Sequence, residues 1–341
     1  MCLNTRPADY WTSNTGGWCG ASEWTDLWGS DGPAYGKNNS WACTDQAQLP
    51  HCVYEDDMFT NFTVNAIRAH NASQPLFLYF APHAVHLPLE VPAGQLQRFN
   101  FINDSVPRRR YAAMTNLVDA HIGAVVDALV ARGMWDNTLL LLTADNGGPI
   151  FGQASTCKIC DGSAGANNWP LRGGKHSGWE GGIRANAFVT GGFLPREQRG
   201  TARTGLVAIE DWFVTFCGLA GITDPSDARA AAAGLPPVEG FDMWPLVSGA
   251  NLTSPRTEVV IGSHVGADGV GAGPAFVQGL IRADGWKLLW NNLTMNIWTG
   301  ACVCGNSWRQ DTAGTHTCCV FCSKGPFDPP SMHLTAHTSL P

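Results

Sequence analysis

Apolar positions along this chain follow two different rhythms. Between residues 110 and 132, Met114, Leu117, Val118, Ile122, Val125, Val126, Leu129 and Val130 recur at spacings of three and four. That predicts a helix with one apolar face, stopped by Gly133. A second helix is predicted over Asp57–Ala69, with Met58, Phe62 and Ile67 among its apolar positions. The acidic run Glu55, Asp56 and Asp57 ahead of it complements the helix dipole. A third is predicted from Ala208 to Leu219. Two short apolar runs, Leu76–Ala81 and Asn137–Thr143, do not alternate and end in turn-forming residues. They predict strands buried on both faces of a parallel sheet. Segments Thr257–Gly262, Phe276–Arg282 and Trp286–Trp290 predict a small antiparallel sheet. Residues 1–53 hold no sustained period and read as loops.

Charge and composition narrow the class. Only 14% of the 341 residues are charged, against a usual ~25%, and the net charge is −7. Nothing global favours nucleic acid or an anionic membrane, and no apolar run approaches the ~20 residues of a membrane span. Arg108, Arg109 and Arg110, lying ahead of the long helix, read as a solvated face. The twelve cysteines point to disulfides, both in the start of the chain and at Cys157–Cys160. Sequons stand at Asn38, Asn61, Asn71, Asn103, Asn251 and Asn292. Cysteines and sequons together imply the secretory pathway, extracellular or lysosomal, although residues 1–20 contain no signal-peptide pattern.

Candidate chemistry gathers just beyond the buried runs. Asp145 and Asn146 stand where the second run ends, followed by Gly147 and Gly148, and open α/β sheets place ligands at such strand ends. A carboxylate and an amide oxygen suit a hard cation such as Ca²⁺ or Mg²⁺. His83 and His86 follow the first run in a proline-punctuated loop. Farther on, Lys175 stands among glycines with Glu180 and Arg184 close behind, a backbone made to approach an anion.

Taken in order, Asp145-Asn-Gly-Gly148, Asn167-Asn-Trp-Pro-Leu-Arg-Gly-Gly-Lys175 and Trp179-Glu-Gly-Gly-Ile-Arg184 resemble the type I sulfatases, and among them the arylsulfatase B group. The likeness spans roughly residues 54–290, with Pro75–Pro92 and Gly240–Leu246 as further pieces. It implies an α/β, alkaline-phosphatase-like fold: a mainly parallel sheet flanked by helices in a catalytic domain over 1–255, a small antiparallel subdomain over 256–322 and an irregular tail over 323–341. It also implies hydrolysis of aryl or carbohydrate sulfate esters, such as sulfated glycans. Asp145 and Asn146 would hold Ca²⁺, and Lys175 and His86 would bind the sulfate, with His86 protonating the leaving oxygen. Glu180 and Arg184 would brace the loop.

The chain departs from the family pattern at its start. The Asp-Asp pair and the Cys-x-Pro/Ala-x-Arg segment, whose cysteine becomes formylglycine, are absent. Cys2-Leu-Asn-Thr-Arg6 puts Asn4 at the Pro/Ala position. The expectation is therefore a truncated, inactive sulfatase. The alternatives are a secreted pseudo-sulfatase that binds sulfated glycans or a partner, and a related phosphoesterase.

Overall fold

The computed structural model describes residues 53–103, 105–150, 165–175, 177–262 and 277–291, together with strand positions 28–29, 32–33, 309–310, 316–317 and 333–336. The sequons at Asn38 and Asn292 and every cysteine except Cys217 lie outside the described residues. In chain order the strands are β1 (Trp28–Gly29), β2 (Gly32–Pro33), β3 (Leu140–Thr143), β4 (Ala187–Thr190), β5 (Glu258–Ile261), β6 (Val277–Arg282), β7 (Trp286–Asn291), β8 (Arg309–Gln310), β9 (His316–Thr317) and β10 (His333–Ala336). The α-helices are α1 (Glu55–Ala69), α2 (Ala93–Gln97), α3 (Val106–Ala131), α4 (Glu180–Ile183), α5 (Asp211–Leu219), α6 (Ala228–Ala232) and α7 (Trp244–Ser248). The chain forms two compact units: Met1–Asp136, Gly148–Pro170 and Trp298–Phe321 make the first; Asn137–Gly147, Leu171–Ile297 and Cys322–Pro341 make the second.

Helices α1 and α3 organise the first unit. Val64 and Ile67 of α1 pack with Val125, Ala128 and Leu129 of α3, and Leu78 and Phe80 lie against them. A second cluster joins Tyr54, Leu89, Val91, Ala113, Met114 and Leu117. Helix α3 begins earlier than its apolar rhythm indicated, because Ser105 caps it: the Ser105 hydroxyl accepts from the Arg108 amide at 3.3 Å. Arg108 and Arg110 therefore lie inside its first turns rather than ahead of them, donating to the carbonyls of Gly165 (2.9 Å) and Leu89 (3.1 Å). By length and composition α3 could also cross a membrane. Part of its apolar face, at Val125, Ala128 and Leu129, is packed against α1.

The expected parallel sheet does not occur among the described residues. Among the described residues every strand pairing is antiparallel, β3 with β4 and β5–β6–β7–β10 in one sheet. Residues 76–81 form no ladder. Their side chains alternate: Leu78 and Phe80 pack inward, while Phe77 and Tyr79 are 74% and 85% exposed. Helices cover one face of that run and not the other, so the expectation of burial on both faces fails. Strand β3 fails it too, with Thr143 exposed and Phe188 of its partner 52% exposed. A continuous apolar run does not distinguish one-sided from two-sided burial.

The four-stranded sheet of the second unit has a clear inner face. Ile261, Ile281 and Leu289 pack with Trp179, while Val260 points outward at 75% exposed. Residues 333–336, within the stretch expected to be an irregular tail, pair with β7.

Candidate functional site

In the second unit two sequence motifs meet through their backbones. The Asp145–Gly147 turn follows β3, and the Gly147 amide donates to the Gly182 carbonyl at 2.8 Å. The Gly181 amide donates to the Arg172 carbonyl at 2.7 Å. The one-turn helix α4 thus touches both the Asp145 turn and the Arg172–Lys175 loop. Only glycine permits this approach. A Cβ on Gly147 would overlap the Gly181 carbonyl, and one on Gly181 would overlap the Gly173 carbonyl. Gly147→Ala is therefore expected to cost ~1–3 kcal/mol through overpacking. Thermal unfolding measures it; an unchanged midpoint would show that the two segments are not in contact.

Lys175 stands half-buried on a turn closed by Ser177. The Ser177 amide and hydroxyl donate to the Gly174 carbonyl at 3.1 and 2.7 Å, and the Gly174 amide donates back to the hydroxyl at 3.3 Å. These bonds tie Ser177 to Gly174 on either side of Lys175. Beneath the loop, Trp179 is buried with the guanidinium of Arg172 4.0 Å from its ring centroid. That contact is a cation–π pair.

Glu180, the first residue of α4, turns to Lys287 of β7, with Nζ to Oε1 at 2.6 Å. Burial pushes the Lys287 ammonium below its ordinary 10.5, and Glu180 opposes that shift. Sequence reasoning missed Lys287. The signal was its position in Trp286–Trp290, where it shares a face with the apolar Leu289. Arg184 is exposed, and its amide closes α4 on the Glu180 carbonyl at 2.9 Å.

The cation centre expected at Asp145 and Asn146 is not supported. Asp145 Oδ1 accepts from the Asn146 amide at 2.7 Å, and Asn146 Nδ2 donates to the Gly147 carbonyl at 2.9 Å. Both side chains serve their own turn. No group of three His, Cys, Asp or Glu residues that could hold a metal occurs among the described residues, and a Ca²⁺ ion takes six to eight oxygens. The residues do not fit the ion.

The first unit carries the histidine loop. The ring Nδ1 of His86 lies 2.7 Å from the Leu87 carbonyl. A carbonyl only accepts, so Nδ1 donates this bond and carries a proton. Asp56 holds the loop: fully buried, its carboxylate accepts from the amides of His83 (3.0 Å) and Ala84 (2.9 Å). Glu55 meets the His83 ring at 3.0 Å, and Asp57 meets His121 of α3 at 2.6 Å. The acidic run is therefore more than a dipole complement; each member has a histidine-bearing partner. Asp56→Asn is expected to cost ~2–3 kcal/mol, since it trades a charge-assisted acceptor pair for one that must face a donor with a donor. A denaturant midpoint measures the loss, and a shift near zero would contradict it.

The sulfatase family model matches residues 8–222, more than half of the chain. The chain belongs to the sulfatase family. It is 32% identical to mouse arylsulfatase J over 302 residues, covering 85% of this chain and 44% of that protein. It is 30% identical to human N-acetylgalactosamine-6-sulfatase over 182 residues, covering 53% and 30%. The crystal structure of Ps i-CgsB in complex with k-i-k-neocarrahexaose matches with a TM-score of 0.55 at 28% identity, over 69% of this chain and 46% of that one. The fold is thus of the alkaline-phosphatase-like sulfatase type. The chain spans less than half the length of these relatives.

Proposed function

We infer that this chain recognises the sulfate group of an aryl or carbohydrate sulfate ester, with Lys175 as the cation that takes a sulfate oxygen. The observation that carries this is the pair of amide bonds from Gly147 to Gly182 and from Gly181 to Arg172. Together they bring the Asp145 motif and the Lys175 motif into one glycine-packed assembly. Positive charge on a loop tied from Ser177 to Gly174 is what an anionic ester needs, because less reorganisation remains when the anion arrives. The reaction implied by family membership is hydrolysis of the sulfate ester. Within the family we favour the arylsulfatase B group, on the strength of the Asn167–Arg172 and Trp179–Arg184 motifs.

Secretory localisation is proposed from the sequons; Asn61, Asn71, Asn103 and Asn251 all present exposed side chains, which a bulky glycan requires.

An aryl sulfate and the matching aryl phosphate, titrated into the purified chain and followed for release of the phenol, test the reading. Binding and turnover of the sulfate support a hydrolase. Saturable sulfate binding without turnover gives the non-catalytic binding module. Preference for the phosphate, or binding of neither, overturns sulfate recognition.

A further inference from the structure

Lysine is almost never fully buried unless paired, and Lys287, 3% exposed on the inner face of β7, is paired with Glu180. In the β6–β7 register it lies opposite Ile281, and Leu289 is two residues along the same face. This face also carries Trp179. An ammonium in that setting meets desolvation as its largest perturbation, only opposed by Glu180. Replacing such a pair with apolar residues is often neutral or stabilising, so stability alone is a poor reason to bury one. A buried pair does fix position.

The position it fixes is that of α4. Glu180 opens that turn, and the next two residues hold the neighbouring loops: the Gly181 amide grips the Arg172 carbonyl, and the Gly182 carbonyl receives the Gly147 amide. The bonded path from Lys287 runs through Glu180 to α4, then divides to the Lys175 loop and the Asp145 turn. The geometry points to Lys287 as a positioning residue, an ammonium on the small sheet that sets where the Lys175 loop and the Asp145 turn stand relative to each other. The role in sulfate binding rests on the reading of Lys175 above; the clamp itself does not.

Hydrogen exchange on the full chain, with inorganic sulfate as the binding probe, tests it. In Lys287→Met, which keeps the length and apolar stem of the side chain, the Gly147 and Gly181 amides are expected to exchange roughly tenfold faster or more. The β3–β4 ladder amides keep their wild-type rates, and sulfate affinity falls about tenfold. A variant that had merely lost stability would speed up all of these amides together. Should Lys287→Met unfold the chain, the double variant Glu180→Leu/Lys287→Met carries the same test, because it removes the clamp without leaving a buried charge unpaired. Unchanged exchange at Gly147 and Gly181 in the folded variants overturns the proposal, as does a rise shared equally with the β3–β4 ladder. Selective exchange in a chain whose wild type binds no sulfate upholds the clamp and overturns only the sulfate reading.

Discussion

Asp211→Ala is expected to be the most damaging single change in the second unit, at about 3–5 kcal/mol. Asp211 is fully buried at the first turn of α5. Its carboxylate meets Arg256 with Nε to Oδ2 at 2.8 Å and Nη2 to Oδ1 at 2.5 Å. It also accepts from the amides of Ala208 (2.7 Å) and Phe241 (2.9 Å). Hydrogen bonding to Asp211 is the largest influence on Arg256 and holds its guanidinium above its ordinary value. Alanine removes four donors' acceptor at once and leaves Arg256, itself 7% exposed, beside the half-exposed Glu210 at 3.0 Å, the Phe241 ring and carbonyls. The check is the denaturant midpoint, read with an unchanged slope. The double variant Asp211→Ala/Arg256→Met should recover part of the loss, because no unpaired charge remains. A midpoint within experimental error of wild type would show that the pair does not hold α5 to the 240–243 segment.

Lys175→Ala is expected to weaken sulfate-ester binding by ~1.5–3 kcal/mol, or roughly 10- to 100-fold in Kd. The magnitude follows from losing one charge-assisted bond to an anion. Stability should hardly change, because the loop closes through Ser177 and Gly174 rather than through the lysine side chain. Lys175→Arg should restore charge without restoring full affinity, since a planar fork does not replace a point charge in a tight bend. A calorimetric titration paired with a melting curve separates affinity from stability. Loss of both together would mark Lys175 as structural.

How much of this was legible in the sequence depended on range. The 3.6-residue rhythm of Met114–Val130 located α3, but not the Ser105 cap, because capping rests on one hydroxyl that periodicity does not see. Leu76–Ala81 and Asn137–Thr143 read as strands in a parallel sheet. The first carries no strand ladder and is buried on one side; the second pairs antiparallel with β4. Strand direction is set by partners distant in sequence, and an apolar run does not encode it. Gly147 and Gly148 were visible as turn formers, whereas the contact of Gly147 with Gly181 and Gly182 was not. Glu180 was expected to brace its loop, yet its partner Lys287 lies 107 positions away. The cation centre failed for the opposite reason. Asp145 and Asn146 are the right residue types, but each is turned to its own backbone.

The most direct measurement is the titration of an aryl sulfate into the full chain beside its Lys175→Ala variant, with the aryl phosphate as control. Saturable binding of the sulfate by the wild-type chain, weakened at least ~10-fold in the variant and exceeding binding of the phosphate, is the predicted result. Equal binding by both proteins, or no binding by the wild type, would contradict sulfate recognition at the Lys175 loop.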